Sequence, residues 1–280
     1  MRVIRTVGEL REWSRAARKA GQSVGLVPTM GALHAGHISL VRAAKADCDA
    51  VAVSIFVNPT QFGPNEDFAL YPRTFEADCA LLEAEGVEVV FAPAAEELYP
   101  PGPATFVEVA GLSERLDGKS RPGHFRGVAT VVAKLFIAAE PDRAFFGQKD
   151  AAQVAVLRRM VADLRLPVDL VVCPIVREAD GLAMSSRNRY LSVEERRQAL
   201  VLSRAVWAVQ NKVEAGERSA VALVAEAEMV ISSEPAVRAD YIAVVDWATL
   251  LPVDTVVQGT LFAVAAFVGT TRLIDNFAVD

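Results

Sequence analysis

Short apolar runs alternate with amphipathic stretches through the first two-thirds of the chain. The apolar runs predict β-strands at residues 24–28, 50–57, 87–91, 143–146 and 168–173. The amphipathic stretches predict helices at residues 36–46, 74–85, 123–139 and 151–163. Because nearly continuous apolar strands are buried on both faces, this alternation predicts an α/β domain whose parallel sheet is covered by helices on both sides.

The pattern changes after about residue 176. Two helices are predicted at residues 192–215 and 219–232, and strands follow at residues 241–245 and 260–268. Helices followed by strands are typical of a small α+β domain. We therefore expect a larger domain at residues 1–175 and a smaller one at residues 176–280, joined by a short hinge near residues 174–177.

Composition narrows the class of protein. The 280 residues include 29 Lys and Arg against 35 Asp and Glu, a net charge of −6, which argues against a nucleic-acid partner. The three Cys do not cluster as in a disulfide framework or a zinc site. Residues 1–21 lack the apolar core of a signal peptide, and no apolar run approaches the roughly 18 residues of a membrane helix. We expect a cytoplasmic protein that has no membrane partner.

Two histidines mark the segment at residues 28–37, which leaves a predicted strand and enters a helix. Gly31 and Gly36 let the backbone approach a ligand closely, and the helix start offers N–H groups to an anion. His34 and His37 lie three residues apart and could donate hydrogen bonds to phosphate oxygens. The pair could equally be ordinary surface residues, and zinc is a further option although no third ligand lies nearby.

Two later segments also carry groups suited to polyphosphate. Lys149 follows the strand at residues 143–146, and Asp150 could bind ribose hydroxyls or simply cap the next helix. In the polar segment at residues 177–188, two serines precede Arg187, and such a group can wrap a triphosphate. The alternative for this last segment is an exposed loop between domains.

Uncharged amides follow two of the predicted strands. Gln61 lies just after the turn at Asn58 and Pro59, and Gln153 lies about one turn into the helix after Asp150. An amide both donates and accepts, which suits a small hydroxy acid, but a solvated Gln in a turn is equally ordinary. A basic, Gly-rich loop at residues 118–127 could attract a carboxylate or a phosphate, or be a charged turn.

Most of these polar segments fall at strand-to-helix turns or at the predicted hinge. Ligands of parallel sheets bind at the carboxyl ends of strands, so the segments together predict a nucleoside triphosphate at that edge. The Gly-x-x-x-x-Gly-Lys-Ser/Thr pattern and the Gly-x-Gly-x-x-Gly pattern are both absent. A P-loop kinase and a conventional dinucleotide dehydrogenase are therefore disfavoured.

The chain resembles the pantoate–β-alanine ligase family over essentially its whole length. The resemblance rests, in order, on residues 28–37, 55–62, 71–74, 121–127, 146–150, 176–189 and 269–276. It implies a Rossmann-like nucleotidyltransferase domain, a smaller C-terminal domain that closes over the site, and a homodimer. It also implies an ATP-dependent, Mg²⁺-requiring condensation of (R)-pantoate with β-alanine through a pantoyl adenylate, which releases AMP and diphosphate.

The resemblance also assigns residues. Four are expected to act on the reacting phosphates: His37, His34, Lys149 and Arg187. The wider set expected to contact ATP is Met30, Gly31, Ala32, Leu33, His34, Ala35, Gly36, His37, Gly147, Gln148, Lys149, Asp150, Val176, Met184, Ser185, Ser186 and Arg187. Gln61 and Gln153 are expected to hold pantoate, and Gln61 also to contact β-alanine.

One position departs from the family pattern. Ala77 stands where relatives often have an acidic residue that is linked to the metal together with its neighbour, which here is Asp78. Asp78 or Glu76 could serve as a ligand, or phosphates and water could hold most of the Mg²⁺ coordination. Two alternatives to the ligase stay open: a related nucleotidyltransferase with a phosphorylated acceptor, and a binding module that has lost catalysis.

Overall fold

A computed structural model of the chain describes residues 1–64 and 66–279. Its larger sheet has six strands, all parallel, in the order β1-β4-β3-β2-β5-β6. The strands are β1 (Arg2–Ile4), β2 (Val24–Thr29), β3 (Ala50–Ile55), β4 (Val89–Phe91), β5 (Arg143–Gly147) and β6 (Asp169–Cys173). The predicted parallel α/β sheet is confirmed, and the short β1 is an addition to it.

Helices connect these strands. They are α1 (Val7–Lys19), α2 (Ala35–Asp47), α3 (Phe75–Ala84), α4 (Ala95–Leu98), α5 (Asp117–Ser120), α6 (His124–Ala139) and α7 (Ala151–Leu164). The sequence did not predict α1, whose start is fixed by a capping box in which Thr6 and Glu9 exchange hydrogen bonds.

Alternate residues of the central strands face different helices. Val24 of β2 and Ala50 of β3 pack with Ala17 of α1 in one buried cluster. Val27 and Val53, an odd number of positions further along the same strands, lie in a second cluster that also contains residues of α2. The two faces of the sheet are therefore both covered, which explains why these strands are apolar throughout.

The second part of the fold combines two helices with a small antiparallel sheet. Helix α8 (Val193–Glu214) and helix α9 (Ala220–Ser232) pack with the three-stranded sheet β7-β8-β9 around one buried cluster. The strands are β7 (Val237–Asp246), β8 (Thr260–Val268) and β9 (Thr271–Ala278). The predicted α+β character is confirmed, whereas β9 was not among the predicted strands.

The chain divides into two compact units. The first contains Met1–Gly147 and Val156–Cys173, and the second contains Gln148–Ala155 and Pro174–Asp280. The main division falls between Cys173 and Pro174. The sequence analysis predicted it two residues later, between residues 175 and 176. The early segment Gln148–Ala155 joins the second unit, which the sequence did not predict. Within the described residues, no helix combines the length and apolar character needed to cross a membrane.

Candidate active site

The turn between β2 and α2 is held by a buried carboxylate. Gly31 and Ala32 both have positive φ, +80° and +51°. Asp78 of α3 is 2 % exposed and accepts the N–H groups of Ala32 at 2.9 Å and Leu33 at 2.8 Å, as well as the Thr74 hydroxyl at 3.1 Å. A Cβ at Gly31 would come within 3.0 Å of Asp78 Oδ2, so the turn requires glycine there.

These bonds give Asp78 a structural role, and its expected role as a metal ligand stays a prediction. Both of its oxygens are used inside the fold, and the carboxylate is almost fully buried. Among residues 1–64 and 66–279, no three His, Cys, Asp or Glu side chains form a group that could hold a metal ion. Asp78 fixes the conformation of the turn.

His34 and His37 lie at the start of α2, directly after this turn. The backbone N–H of His34 donates to Nδ1 of His37 at 3.3 Å, and the two ring centroids are 4.0 Å apart. Because Nδ1 of His37 is an acceptor, the proton of the neutral ring lies on Nε2. Both side chains are partly exposed. The helix start therefore presents an N–H donor and a positive dipole end, an arrangement that suits an anion.

Gln61 lies close to the same turn, in the short 3-10 helix Pro59–Gln61. Its Oε1 accepts from Asn58 Nδ2 at 3.0 Å, and its Nε2 is 3.2 Å from Met30 Sδ. Asn58 is 1 % exposed and also donates to the Gly127 carbonyl at 3.1 Å. The contact with Met30 brings the residue predicted for pantoate next to the segment predicted for ATP.

The basic loop before α6 proves to be an internally paired network. Arg121 forms a bidentate ion pair with Glu66. Its Nη1 atom lies 3.0 Å from Nε2 of His124. His124 Nδ1 lies 2.8 Å from the Gln61 carbonyl oxygen. Burial opposes ionisation of Glu66, but the hydrogen bond and charge of Arg121 outweigh it and hold the pKa of Glu66 below its ordinary value. Arg121 is thus paired inside the fold, so the loop is not simply an exposed charged turn.

Burial, assisted by the positive charge of Arg121, lowers the pKa of His124 from its ordinary value of 6.5 to about 4. A depressed histidine pKa means that the fold is stabilised while the ring is neutral, and this contribution is lost as pH falls from about 6.5 toward 4. We expect the loss to be about 3 kcal/mol in the free energy of unfolding between pH 7 and pH 4. His124→Asn should lack it, and urea unfolding of both proteins at several pH values measures the difference. Parallel curves for the two proteins would contradict the prediction.

In the second unit, the segment Gln148–Ala155 is anchored by the C-terminal strand. Asn276 of β9 donates both N–H groups of its amide, to the carbonyls of Gln148 at 3.1 Å and Lys149 at 2.9 Å, and accepts from Gln148 Nε2 at 3.3 Å. Trp247 donates its indole N–H to the Ala151 carbonyl at 2.9 Å. These bonds fix the backbone that carries Lys149 and explain why the segment belongs to the second unit.

The polar segment at residues 177–188 is ordered by its own contacts. Arg177 forms a bidentate pair with Asp275, at 2.6 and 3.0 Å, and its guanidinium lies over the Trp207 ring. The backbones of Val176 and Met184 are joined by a 2.9 Å hydrogen bond, and Leu182 and Ala183 are buried. The segment is therefore a folded loop rather than a freely exposed one. Ser185 accepts the Arg187 N–H at 3.3 Å and so shapes the turn before that arginine.

Three residues that the sequence left without a role are buried supports of the predicted site: Asn58, Asp275 and Asn276. A polar signal existed for each, since Asn58 precedes Pro59 in a turn and the other two interrupt an apolar strand. Their tasks depend on partners that are distant in sequence. The ligand-binding and catalytic roles predicted for the site residues, including Gln153, Asp150, Ser186 and Gly147, stay predictions.

Known proteins of one family resemble this chain over nearly its whole length. The family model described as pantoate-beta-alanine ligase matches residues 2–278. A pantothenate synthetase of Acidobacterium capsulatum is 70 % identical over 255 residues, 91 % of this chain and 85 % of that protein. One from Koribacter versatilis is 59 % identical over 280 residues, 100 % of this chain and 96 % of that protein.

Solved structures agree as well. The crystal structure of pantothenate synthetase from Thermus thermophilus has a TM-score of 0.93 and 48 % identity, with 99 % of each chain covered. The pantoate-beta-alanine ligase of Francisella tularensis, complexed with beta-gamma ATP and beta-alanine, has a TM-score of 0.79 and 33 % identity over 99 % of this chain and 97 % of that one. The chain therefore belongs to the pantoate–β-alanine ligase family and is a ligase that forms an amide bond.

Proposed function

We propose that this ligase activates (R)-pantoate with ATP and then joins it to β-alanine. In the first step a pantoate carboxylate oxygen attacks the α-phosphorus of ATP and displaces diphosphate, which gives pantoyl adenylate. In the second step the β-alanine amine attacks the acyl carbon, AMP leaves, and the amine loses a proton. The observation that carries the proposal is the fixed turn with His34 and His37 at a helix start, in contact with Gln61 through Met30.

In the first unit, the histidines and Gln61 have separate tasks. His37 is fixed with its proton on Nε2, so it donates to a phosphate oxygen as charge develops there, and His34 assists it. The N–H groups at the start of α2 add a positive dipole end. Gln61 has its amide oriented by Asn58, so its Nε2 presents a donor of fixed direction to pantoate. Orienting pantoate lowers the entropic part of the barrier.

The second unit supplies cations and hydroxyls for the polyphosphate. Lys149 and Arg187 stabilise the charge of the leaving diphosphate, and Ser185 and Ser186 donate to its oxygens. Gln153 takes part in holding pantoate. The other residues of the second unit that we propose to contact ATP are Gln148, Asp150, Val176 and Met184. Gly147, which belongs to the first unit, is proposed to contact ATP as well. Asn276 supports this role because it fixes the backbone from which Lys149 projects.

The second step demands that water be kept away from the intermediate. Pantoyl adenylate is a mixed anhydride, and water would hydrolyse it in place of the β-alanine amine. Gln61 is 8 % exposed, and we propose that it contacts β-alanine as well as pantoate. Closure of the smaller domain, which the family resemblance implies, would serve the same purpose.

The described side chains do not fit a magnesium site held by the protein. Asp78 accepts hydrogen bonds from the turn, and the described residues contain no cluster of three His, Cys, Asp or Glu side chains that could bind a metal ion. No step is therefore assigned to a metal held by this chain. Mg²⁺ binds phosphate oxygens and keeps several of its waters, so we propose that it enters with ATP. We also propose that the protein is cytoplasmic and forms a homodimer. Sedimentation equilibrium tests the homodimer.

Activity provides the direct test. AMP should form only when ATP, pantoate and β-alanine are all present, and pantothenate should form in equal amount. Gln61→Ala should raise the KM for pantoate by roughly 10- to 100-fold, the effect of losing one or two oriented hydrogen bonds. Gln22→Ala, a change at an exposed glutamine, is the matched control and should behave as wild type. A nucleotidyl conjugate that accumulates without an amide would contradict the proposed reaction.

A further inference from the structure

We propose that His124 is a positioning residue that links the Arg121 guanidinium to the Gln61 carbonyl oxygen and so fixes the Gln61 side chain for pantoate. The inference rests on the proposed role of Gln61 and extends it to a residue of another element. His124 begins α6, whereas Gln61 ends a 3-10 helix far earlier in the chain. The His124 side chain is buried, with 9 % of the residue exposed. Its Nδ1 lies 2.8 Å from the Gln61 carbonyl oxygen, and its Nε2 lies 3.0 Å from Nη1 of Arg121.

The hydrogen-bond directions in this bridge are determined by chemistry. Arg121 has only donors, so Nε2 of His124, 3.0 Å from Nη1, must be the acceptor. The proton of the neutral ring is then on Nδ1, which donates to the Gln61 carbonyl oxygen at 2.8 Å. If Nε2 carried the proton and Nδ1 did not, the Nε2 N–H would face the N–H groups of the Arg121 guanidinium, and two donors would oppose each other. The imidazole thus has one tautomer, and that tautomer is the one that holds Gln61.

Close packing restricts Gln61 from a second direction. Gly127 of α6 faces the peptide between Thr60 and Gln61, and a Cβ at this glycine would overlap the Thr60 carbonyl oxygen and the Gln61 nitrogen. Asn58 joins the same two elements, since its amide donates to both Gln61 Oε1 and the Gly127 carbonyl. Contacts with the first turns of α6 therefore fix the position of both the main chain and the side chain of Gln61. His124 supplies the shorter of two contacts to the Gln61 carbonyl oxygen, 2.8 Å against 3.5 Å from Arg121 Nη2.

The charges around His124 favour this role over an anion site. Arg121, Glu66 and Asp117 are the charged groups that act on the ring. Arg121 is paired with Glu66 through two nitrogens, and their side chains are 16 % and 25 % exposed. The cation is thus compensated and oriented by a carboxylate. The neutral ring then relays that orientation to the Gln61 carbonyl oxygen at 2.8 Å, and Arg121 Nη2 lies 3.5 Å from the same oxygen.

Two substitutions separate positioning from mere stability. Asn places its amide nitrogen near the position of Nδ1, and Gln places its amide near the position of Nε2. His124→Asn keeps a donor for the Gln61 carbonyl and loses the Arg121 contact, whereas His124→Gln does the reverse. Each loses one buried hydrogen bond, so similar falls in Tm are expected.

The KM for pantoate should distinguish them. We expect a rise of about 10-fold or more in His124→Gln and of less than about 3-fold in His124→Asn, one hydrogen bond being worth about a factor of ten. The KM for ATP should change by less than about 2-fold in either, and kcat at saturating pantoate should follow wild type. Equal pantoate KM values in the two variants, raised or unchanged, would overturn the inference.

A double-mutant cycle with Gln61→Ala completes the test. If His124 acts through Gln61, His124→Gln should have little further effect on the pantoate KM once Gln61 is alanine. Full additivity would overturn the inference while leaving the role of Gln61 intact. A Gln61→Ala variant with an unchanged pantoate KM would overturn the role of Gln61 and the inference together. The two failures therefore give different results.

Discussion

Replacement of His37 by alanine is expected to lower kcat for AMP release by roughly 10²- to 10³-fold, the usual cost of removing one preorganised donor to developing charge. The expectation rests on the contact between the His34 N–H and His37 Nδ1, which leaves the His37 proton on Nε2. The side chain is partly exposed, so the fold should survive the change. Circular dichroism and an AMP assay with all three substrates measure both outcomes.

Two further variants identify which ring nitrogen matters. His37→Asn keeps an acceptor near the Nδ1 position and removes the outer donor, whereas His37→Gln keeps an N–H near the Nε2 position. If donation from Nε2 drives the reaction, the Gln variant should retain part of the activity that the Asn variant loses. An alanine variant that is folded and within about 3-fold of the wild-type rate would show that His37 is not catalytic.

The strands of the larger sheet could largely be predicted because burial on both faces makes them apolar throughout. Strand β2 packs against α1 on one side and α2 on the other, so no polar residue interrupts the run. Strand β1 has only three residues, two of them exposed, which is too short for any periodicity. Helix α1 carries several arginines, and its capping box at Thr6 and Glu9 was the signal that could have revealed it.

Strand β9 was not predicted because two buried polar residues lie inside it. Asp275 and Asn276 are each 2 % exposed, and they hold Arg177 and the Gln148–Lys149 backbone. A pattern of apolar and polar positions treats such residues as signs of a loop. Only the three-dimensional fold brings them to their partners, which lie about a hundred residues away or more.

The positions of the candidate site could be predicted better than the supports around it. Strand ends pointed to one edge of the sheet, where the carboxyl ends of parallel strands meet. Gln61 contacts Met30 there, in the turn that leads to His34 and His37. The pairing of Arg121 with Glu66 joins two loops, and no periodicity records such a contact. For Asp78, the family pattern suggested a metal. Two of its observed partners are backbone N–H groups, which carry no sequence signature.

Substitution of Asp78 by Asn should therefore destabilise the protein and disable the site together. Asn keeps the volume but has one acceptor oxygen, so its NH₂ group must face a backbone N–H of Ala32 or Leu33 in a buried position. One unpaired buried donor costs about 1–3 kcal/mol, and two opposed donors should lower the free energy of unfolding by roughly 2–4 kcal/mol. The turn that leads to His34 would then lose its conformation, and kcat should fall by at least about 10²-fold.

Glu76→Gln is the matched control for this substitution. It makes the same chemical change in the first turn of the same helix, at an exposed side chain. Urea unfolding should place it within about 0.5 kcal/mol of wild type, with normal AMP release. A second measurement tests the reason for the loss: because Asp78 acts on the turn and not on a metal, raising the Mg²⁺ concentration should not restore activity to Asp78→Asn. Recovery at high Mg²⁺ would instead mean that the carboxylate contributes to metal binding, since weaker coordination is overcome by mass action.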